Sequence, residues 1–210
     1  MKQPYENVYL GNFIFALGFQ AARTKKGLSD KSVQLVQQTP DESKLNDLFV
    51  NWSGKSFIFE FKRNLDKVST ELEKEAKRSL NESLNLAKNE SALKLSNKSH
   101  FLGFGMESGL GFVPYSTIHK RIENHHSLDK FCLAIVSGEC DLGLNYEELK
   151  TYLAFIKSAT NSTTEGCGGF VLNISDDGSL NMIPFDNVYV LSQALDVKPA
   201  PPSTSFDMSM

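Results

Sequence analysis

Glu60 and Lys62 stand two residues apart in the segment KSFIFEFK, and Asp47 lies shortly before them in LNDLFVN. On an extended chain, positions two apart project from one face, about 6 to 7 Å from each other. If Leu45 to Asn51 and Lys55 to Lys62 fold back around Ser53-Gly54, antiparallel pairing brings Asp47 to the Glu60 end of its neighbour. Two carboxylates and an ammonium then converge. Hard cations such as Mg²⁺ or Mn²⁺ take oxygen ligands, and one or two carboxylates with waters and a substrate phosphate suffice to hold them. Such an ion neutralises phosphate charge and acidifies a bound water, while a neighbouring lysine orients that water or stabilises developing negative charge.

The elements that must position these residues follow from the hydrophobic pattern. From Tyr5 to about Arg23, apolar residues recur at helical spacing, with Glu6 on the same row as Leu10, Phe13 and Leu17. Thr24 to Asp30 reads as a loop. Ser32 to Gln38 reads as a strand, Thr39-Pro40-Asp41 as a turn, and Leu45 to Asn51 as a second strand. In Lys55 to Lys62 the alternation sets Phe57, Phe59 and Phe61 against Ile58, Glu60 and Lys62, which predicts a third strand with two different faces. From Leu65 to about Asn89 the period changes, and Leu65, Val68, Leu72, Ala76, Leu80, Leu84 and Ala87 predict one amphipathic helix ended by a polar loop. His100 to Met106 reads as a strand and Gly109 to Pro114 as its hairpin mate.

Beyond these lie a predicted short helix at Thr117 to Asn124, a strand at Phe131 to Val136 and a helix at Tyr146 to Ser158. A terminal hairpin joins Gly169–Ile174 to Leu180–Pro184 across Asp177-Gly178. The expected organisation is one domain over 1–195, with a core at about 5–106 and an extension at about 107–195. A Pro- and Ser-rich disordered tail is expected over 196–210.

The segment DLFVNWSGKSFIFEFK resembles the Asp…(D/E)-x-K hairpin of the PD-(D/E)xK nuclease superfamily, and the order helix, three strands, helix, strand is similar to that superfamily's core. The resemblance covers about residues 5–106. It implies an α/β, restriction-endonuclease-like fold (αβββαβ), a mixed central sheet flanked by helices, with a C-terminal α/β extension. It implies Asp47 and Glu60 as metal ligands, the backbone carbonyl of Phe61 as a further ligand, Lys62 as the catalytic lysine, and Glu6 as the acid often contributed by the first helix. The cofactor implied is Mg²⁺ or Mn²⁺, and the activity is endonucleolytic phosphodiester hydrolysis, foremost of DNA. The literal Pro-Asp dipeptide of this chain is Pro40-Asp41, which falls in the predicted turn, so Asp47 is the better match. Such nucleases serve restriction, repair, mobile elements and phage defence, and the resemblance does not choose among them. The rival readings are an inactive relative that binds protein or nucleic acid, and an unrelated α/β module whose charges face solvent.

Composition agrees with an ordinary soluble protein: 40% hydrophobic and 22% charged residues, with a net charge of −3 that excludes bulk positive charge as the source of nucleic-acid affinity. Arg63, Arg23, Lys25 and Lys26 are the candidate phosphate contacts, weighed against ordinary solvated charge. Cys132, Cys140 and Cys167 form no C-x-x-C pair, and a reducing cytoplasm is the simplest compartment. No signal peptide or membrane span is read. A homodimer or protein partner is expected, if anywhere, through the C-terminal half. His125-His126 beside Glu123 and the glycines of GFGMESGLGF read more simply as loop and hairpin residues than as a metal site or phosphate cradle.

Overall fold

A computed structural model describes residues 4–24, 31–35, 47–107, 109–138, 141–160, 169–174 and 180–185. The first helix, α1 (Glu6–Arg23), is followed by β1 (Lys31–Leu35), β2 (Leu48–Trp52) and β3 (Lys55–Lys62). Trp52 pairs with Lys55, and both residues between them have positive φ, 51° at Ser53 and 73° at Gly54. This is the two-residue turn whose twist suits a hairpin, and it fixes the register that sets Leu48 opposite Phe59.

The predicted single helix over 65–89 is replaced by two 3-10 turns (Leu65–Lys67 and Ser69–Glu73), then α2 (Glu75–Leu84). Lys74 between them is extended, with φ −75° and ψ 120°. On one uninterrupted α-helix, residues 71 and 77 would point about 120° apart. The break at Lys74 lets Glu71 and Lys77 both turn inward. The predicted polar loop that follows is instead α3 (Glu90–Ser99), leading to β4 (His100–Met106) and β5 (Gly109–Pro114). In place of a helix at 117–124 there is one 3-10 turn, Tyr115–Thr117. A two-residue strand, β6 (His126–Ser127), precedes α4 (Leu128–Ser137).

The predicted strand at Phe131 to Val136 is thus corrected to a helix. The run FCLAIV is apolar throughout and carries no period of its own, but the residues it buries are Phe131, Cys132, Ile135 and Val136, the spacing of a helix face. Helix α5 (Tyr146–Ala159) begins at an Asn145–Glu148 capping box. Strands β7 (Gly169–Ile174) and β8 (Leu180–Phe185) pair as expected. Their connecting turn, Lys25, Lys26, Pro40-Asp41, Cys140, Cys167 and the tail over 196–210 lie outside the described residues.

The eight strands form one sheet in the order β6-β5-β4-β3-β2-β1-β7-β8. Its central five, β1 to β5, are in consecutive order and mixed: β3 and β4 run parallel, and the other pairs antiparallel. Helices flank both faces, giving an α/β architecture. On one face α1 and α4 cover Leu48, Val50, Phe57, Phe59, Phe61, Phe101 and Phe112; on the other, the layer containing α2 and α5 covers Phe49, Ile58, Leu102, Phe104 and Val113. The extension shares this framework, since β7 continues the sheet beside β1. None of the described helices is long and apolar enough to cross a membrane.

Candidate active site

Asp47 immediately precedes β2, just beyond the Leu48–Phe59 pair that ends the ladder, close enough to Glu60 to feel its charge. Its N–H donates to the Phe59 carbonyl at 2.9 Å. Its Oδ2 accepts the Phe61 N–H at 2.7 Å, where the next strand carbonyl would otherwise stand. In a strand the N–H and C=O of one residue point to the same edge. The Phe61 carbonyl is therefore directed to the edge where the Asp47 carboxyl sits.

Glu60 and Lys62 project from β3 under the α2 layer. Both are buried, as is Asp47, at 1%, 6% and 2% exposure respectively. Burying three ionisable groups requires partners, and two come from the segment after β3. Lys62 Nζ donates to Glu60 Oε1 at 2.6 Å and lies 2.9 Å from Glu71 Oε2. Lys77 Nζ lies 3.1 Å from Glu60 Oε2 and 3.5 Å from Glu71 Oε1. Each glutamate thus spans both lysines. Glu71 holds them as ion contacts rather than aligned hydrogen bonds.

The electrostatics separate Asp47 from this square. Burial, and after it the charge of Glu60, push the Asp47 carboxyl up to about 8, so it keeps its proton at neutral pH. Burial opposes the charge of Lys62, but Glu60 and Glu71 outweigh it and hold the ammonium well above the ordinary lysine range. Burial likewise opposes ionisation of Glu71, and Lys77 and Lys62 overcome it, taking the carboxyl down to about 2. Two glutamates then face two buried lysines, with the exposed Lys74 also 3.5 Å from Glu71 Oε2, and the fifth buried group, Asp47, has no lysine or arginine at ion-pair distance among the described residues.

Behind the square, His100 Nδ1 and the Tyr152 hydroxyl are 2.7 Å apart, and the His100 ring stacks on Tyr115 at 4.1 Å. Burial first, then Lys77, keep His100 neutral at physiological pH. The Tyr115 hydroxyl is buried without a hydrogen-bond partner. Burial first, then the charges of Glu71 and Glu60, push its pKa well above the ordinary tyrosine value and keep it protonated.

Of the residues expected from sequence, Asp47, Glu60, Lys62 and the Phe61 backbone come together. Glu6 opens α1, half-buried, in the layer across the sheet, and makes none of the cluster's ion pairs. Arg63 is stacked over the Tyr5 ring at 4.1 Å, and its Nε donates to the Pro4 carbonyl at 3.4 Å. Arg23 closes α1 at the opposite end of 18 residues, roughly 25 Å along the axis from the start that Arg63 touches. These two arginines do not share one phosphate site. Glu71 and Lys77 were not singled out by sequence, where they read as charges on the solvent side of a helix. The available signal was indirect: a strand face carrying Glu60 and Lys62, followed by a covering amphipathic segment, requires compensating charges from that segment.

The donor set fits a divalent cation. Asp47 is a carboxyl with no cation of its own, it lies within reach of the Glu60 charge, and the Phe61 carbonyl points to the same edge. Among the described residues no three Asp, Glu, His or Cys side chains gather as a metal cage, so any ion here would rely on two carboxylates and external oxygens. The chain matches no protein-family model, no curated protein and no solved structure.

Proposed function

We propose that this protein is a metal-dependent phosphodiesterase, an endonuclease of the PD-(D/E)xK type with a restriction-endonuclease-like core. The observation that carries the reading is the meeting of Asp47, Glu60 and Lys62 at one end of the β2–β3 hairpin, with Asp47 left out of the ion square. The consecutive β1 to β5 order, with α1 before it and α2 and α3 between β3 and β4, supports the same reading.

In this mechanism Asp47, Glu60 and the Phe61 carbonyl would hold Mg²⁺ or Mn²⁺. Such an ion, when bound, would supply charge neutralisation at the scissile phosphate and a more acidic water. Asp47 must release its proton for the ion to bind, so binding is coupled to pH. Lys62 is held charged by two carboxylates and cannot serve as a general base near neutrality. Its role is to place a fixed positive charge where the phosphorane oxygens gain negative charge. Glu71 and Lys77 are positioning residues: Lys77 shares Glu60 with Lys62, and Glu71 keeps both ammoniums from collapsing onto one acid. DNA is the substrate favoured by the resemblance, and the site lies within the N-terminal core rather than the extension.

One observation favours a second reading. With Asp47 protonated, Glu60 and Glu71 are answered by the buried Lys62 and Lys77 and by the exposed Lys74, so both ionised acids are matched without a metal. That is what an inactive, nucleic-acid- or protein-binding relative would look like.

The two readings part in a cleavage assay on plasmid, linear DNA, single-stranded DNA and RNA with Mg²⁺, Mn²⁺ or chelator. The nuclease reading expects metal-dependent cleavage, reduced at least about 100-fold in Asp47→Asn and Lys62→Met. No cleavage of any substrate, or equal cleavage by all three proteins, discards it.

A further inference from the structure

Helix α1 is apolar on the side that faces away from the sheet. Its buried row is Tyr9, Leu10, Phe13, Leu17, Gln20 and Ala21. Directly opposite, in steps of three and four, run Val8, Gly11, Phe15, Gly18 and Ala22, all exposed. Phe15 is 75% exposed, and Phe19 beside it 55%. The only charged residues of the helix are its first and last, Glu6 and Arg23. A solvated helix face normally carries charge, and a helix apolar all round is covered on both sides.

The two glycines sharpen this. A methyl group at Gly11 or Gly18 would meet nothing within 4 Å, and neither residue has positive φ. Among the described residues nothing calls for glycine at either place, although glycine weakens a helix interior. Close approach by something outside does.

The sizes along the stripe name the occupant. Read in one direction they are large, notch, large, notch: Val8, Gly11, Phe15, Gly18. A two-fold axis beside Phe13 runs α1 antiparallel to a second α1, and it sets Val8 against Gly18 of the second copy and Phe15 against its Gly11. The reverse contacts follow by symmetry, so Val8 and Phe15 each meet a notch in a single register. The same arrangement opposes the two helix dipoles and sets the acidic first turn of each helix level with the basic last turn of the other, with Glu6 itself on the inward row. Such self-complementarity is what an isologous interface requires.

We propose that the outer face of α1 is a homodimer interface with this antiparallel register. It stands independently of the nuclease reading, and it places self-association on the N-terminal helix rather than the C-terminal half.

The test is sedimentation equilibrium of the full chain across micromolar concentrations, beside Phe15→Asp, Gly11→Leu and Leu133→Asp. Leu133 is an exposed apolar residue on α4 and serves as the control. Circular dichroism checks that each variant is folded. A concentration-dependent dimer weakened at least about 30-fold by Phe15→Asp and by Gly11→Leu, and unchanged by Leu133→Asp, is the expected result. A monomer at all concentrations overturns the proposal, as does a dimer that both α1 variants leave intact. Flotation of a monomeric protein with phosphatidylglycerol vesicles, abolished by Phe15→Asp, would assign the face to a lipid surface instead and also overturn it.

Discussion

The two faces of β3 differ as much as two faces of one strand can. On one, Phe57, Phe59 and Phe61 lie within an aromatic core; Phe59 sits 4.7 Å from Phe13 and packs beside Phe101, Phe112 and Phe131. On the other, Ile58 is followed by Glu60 and Lys62, equally sealed from water but answered by Glu71 and Lys77. The apolar face gains free energy simply by being covered. The charged face gains little by the same covering, since desolvation of its ions consumes most of their attraction. A strand that spends one face in that way, and leaves Asp47 uncompensated at its edge, carries more polar chemistry than stability alone explains.

Three experiments press on this contrast. The largest stability loss belongs to the apolar face: Phe59→Ala, at a fully buried position, is expected to cost about 3–5 kcal/mol in denaturant unfolding. A loss under about 1 kcal/mol would mean the aromatic layer is not the main support of the sheet. On the charged face, Lys77→Met leaves Glu60 and Glu71 with Lys62 as their one buried cation, beside the exposed Lys74 that reaches Glu71 at 3.5 Å, and is expected to cost about 3 kcal/mol. Adding Glu71→Leu should restore most of that, because an apolar pair of similar volume replaces a buried ion pair at little net cost. A double variant no more stable than Lys77→Met would contradict the square as a closed charge unit.

The smallest of the three is a pH effect. The folded state holds the Asp47 proton up to about 8, whereas the unfolded chain releases it near 4, so between those limits the folded state binds more protons. Stability therefore falls as pH rises from about 4 toward about 8 and levels off beyond it. After local relaxation the fall attributable to this group is on the order of 2 kcal/mol. Asp47→Asn, which keeps an oxygen to accept the Phe61 N–H, should flatten that limb. An unchanged pH profile would show that Asp47 is ionised in the apo protein.

What was legible in the sequence tracks how each feature is encoded. The hairpin was, because strict alternation in KSFIFEFK and a Ser-Gly turn fix both register and facing; the meeting of Asp47 with Glu60 followed from them. The terminal hairpin and α5 were legible for the same local reasons. The α4 segment was not, since six consecutive apolar residues fit a buried strand as well as a helix face. The break at Lys74 was illegible too: it serves a tertiary need, turning Glu71 and Lys77 toward charges contributed by another element. No local propensity records that need.

The central claim is that the Asp47–Glu60 edge of the charged face is a divalent-cation site, and Mn²⁺ binding measured by electron paramagnetic resonance tests it without relying on turnover. One Mn²⁺ per chain is expected at pH 8.5, with affinity falling about tenfold per unit below pH 8 as the Asp47 proton competes, and the site lost in Asp47→Asn. Binding that Asp47→Asn leaves unaltered, or no stoichiometric binding at pH 8.5, would contradict it.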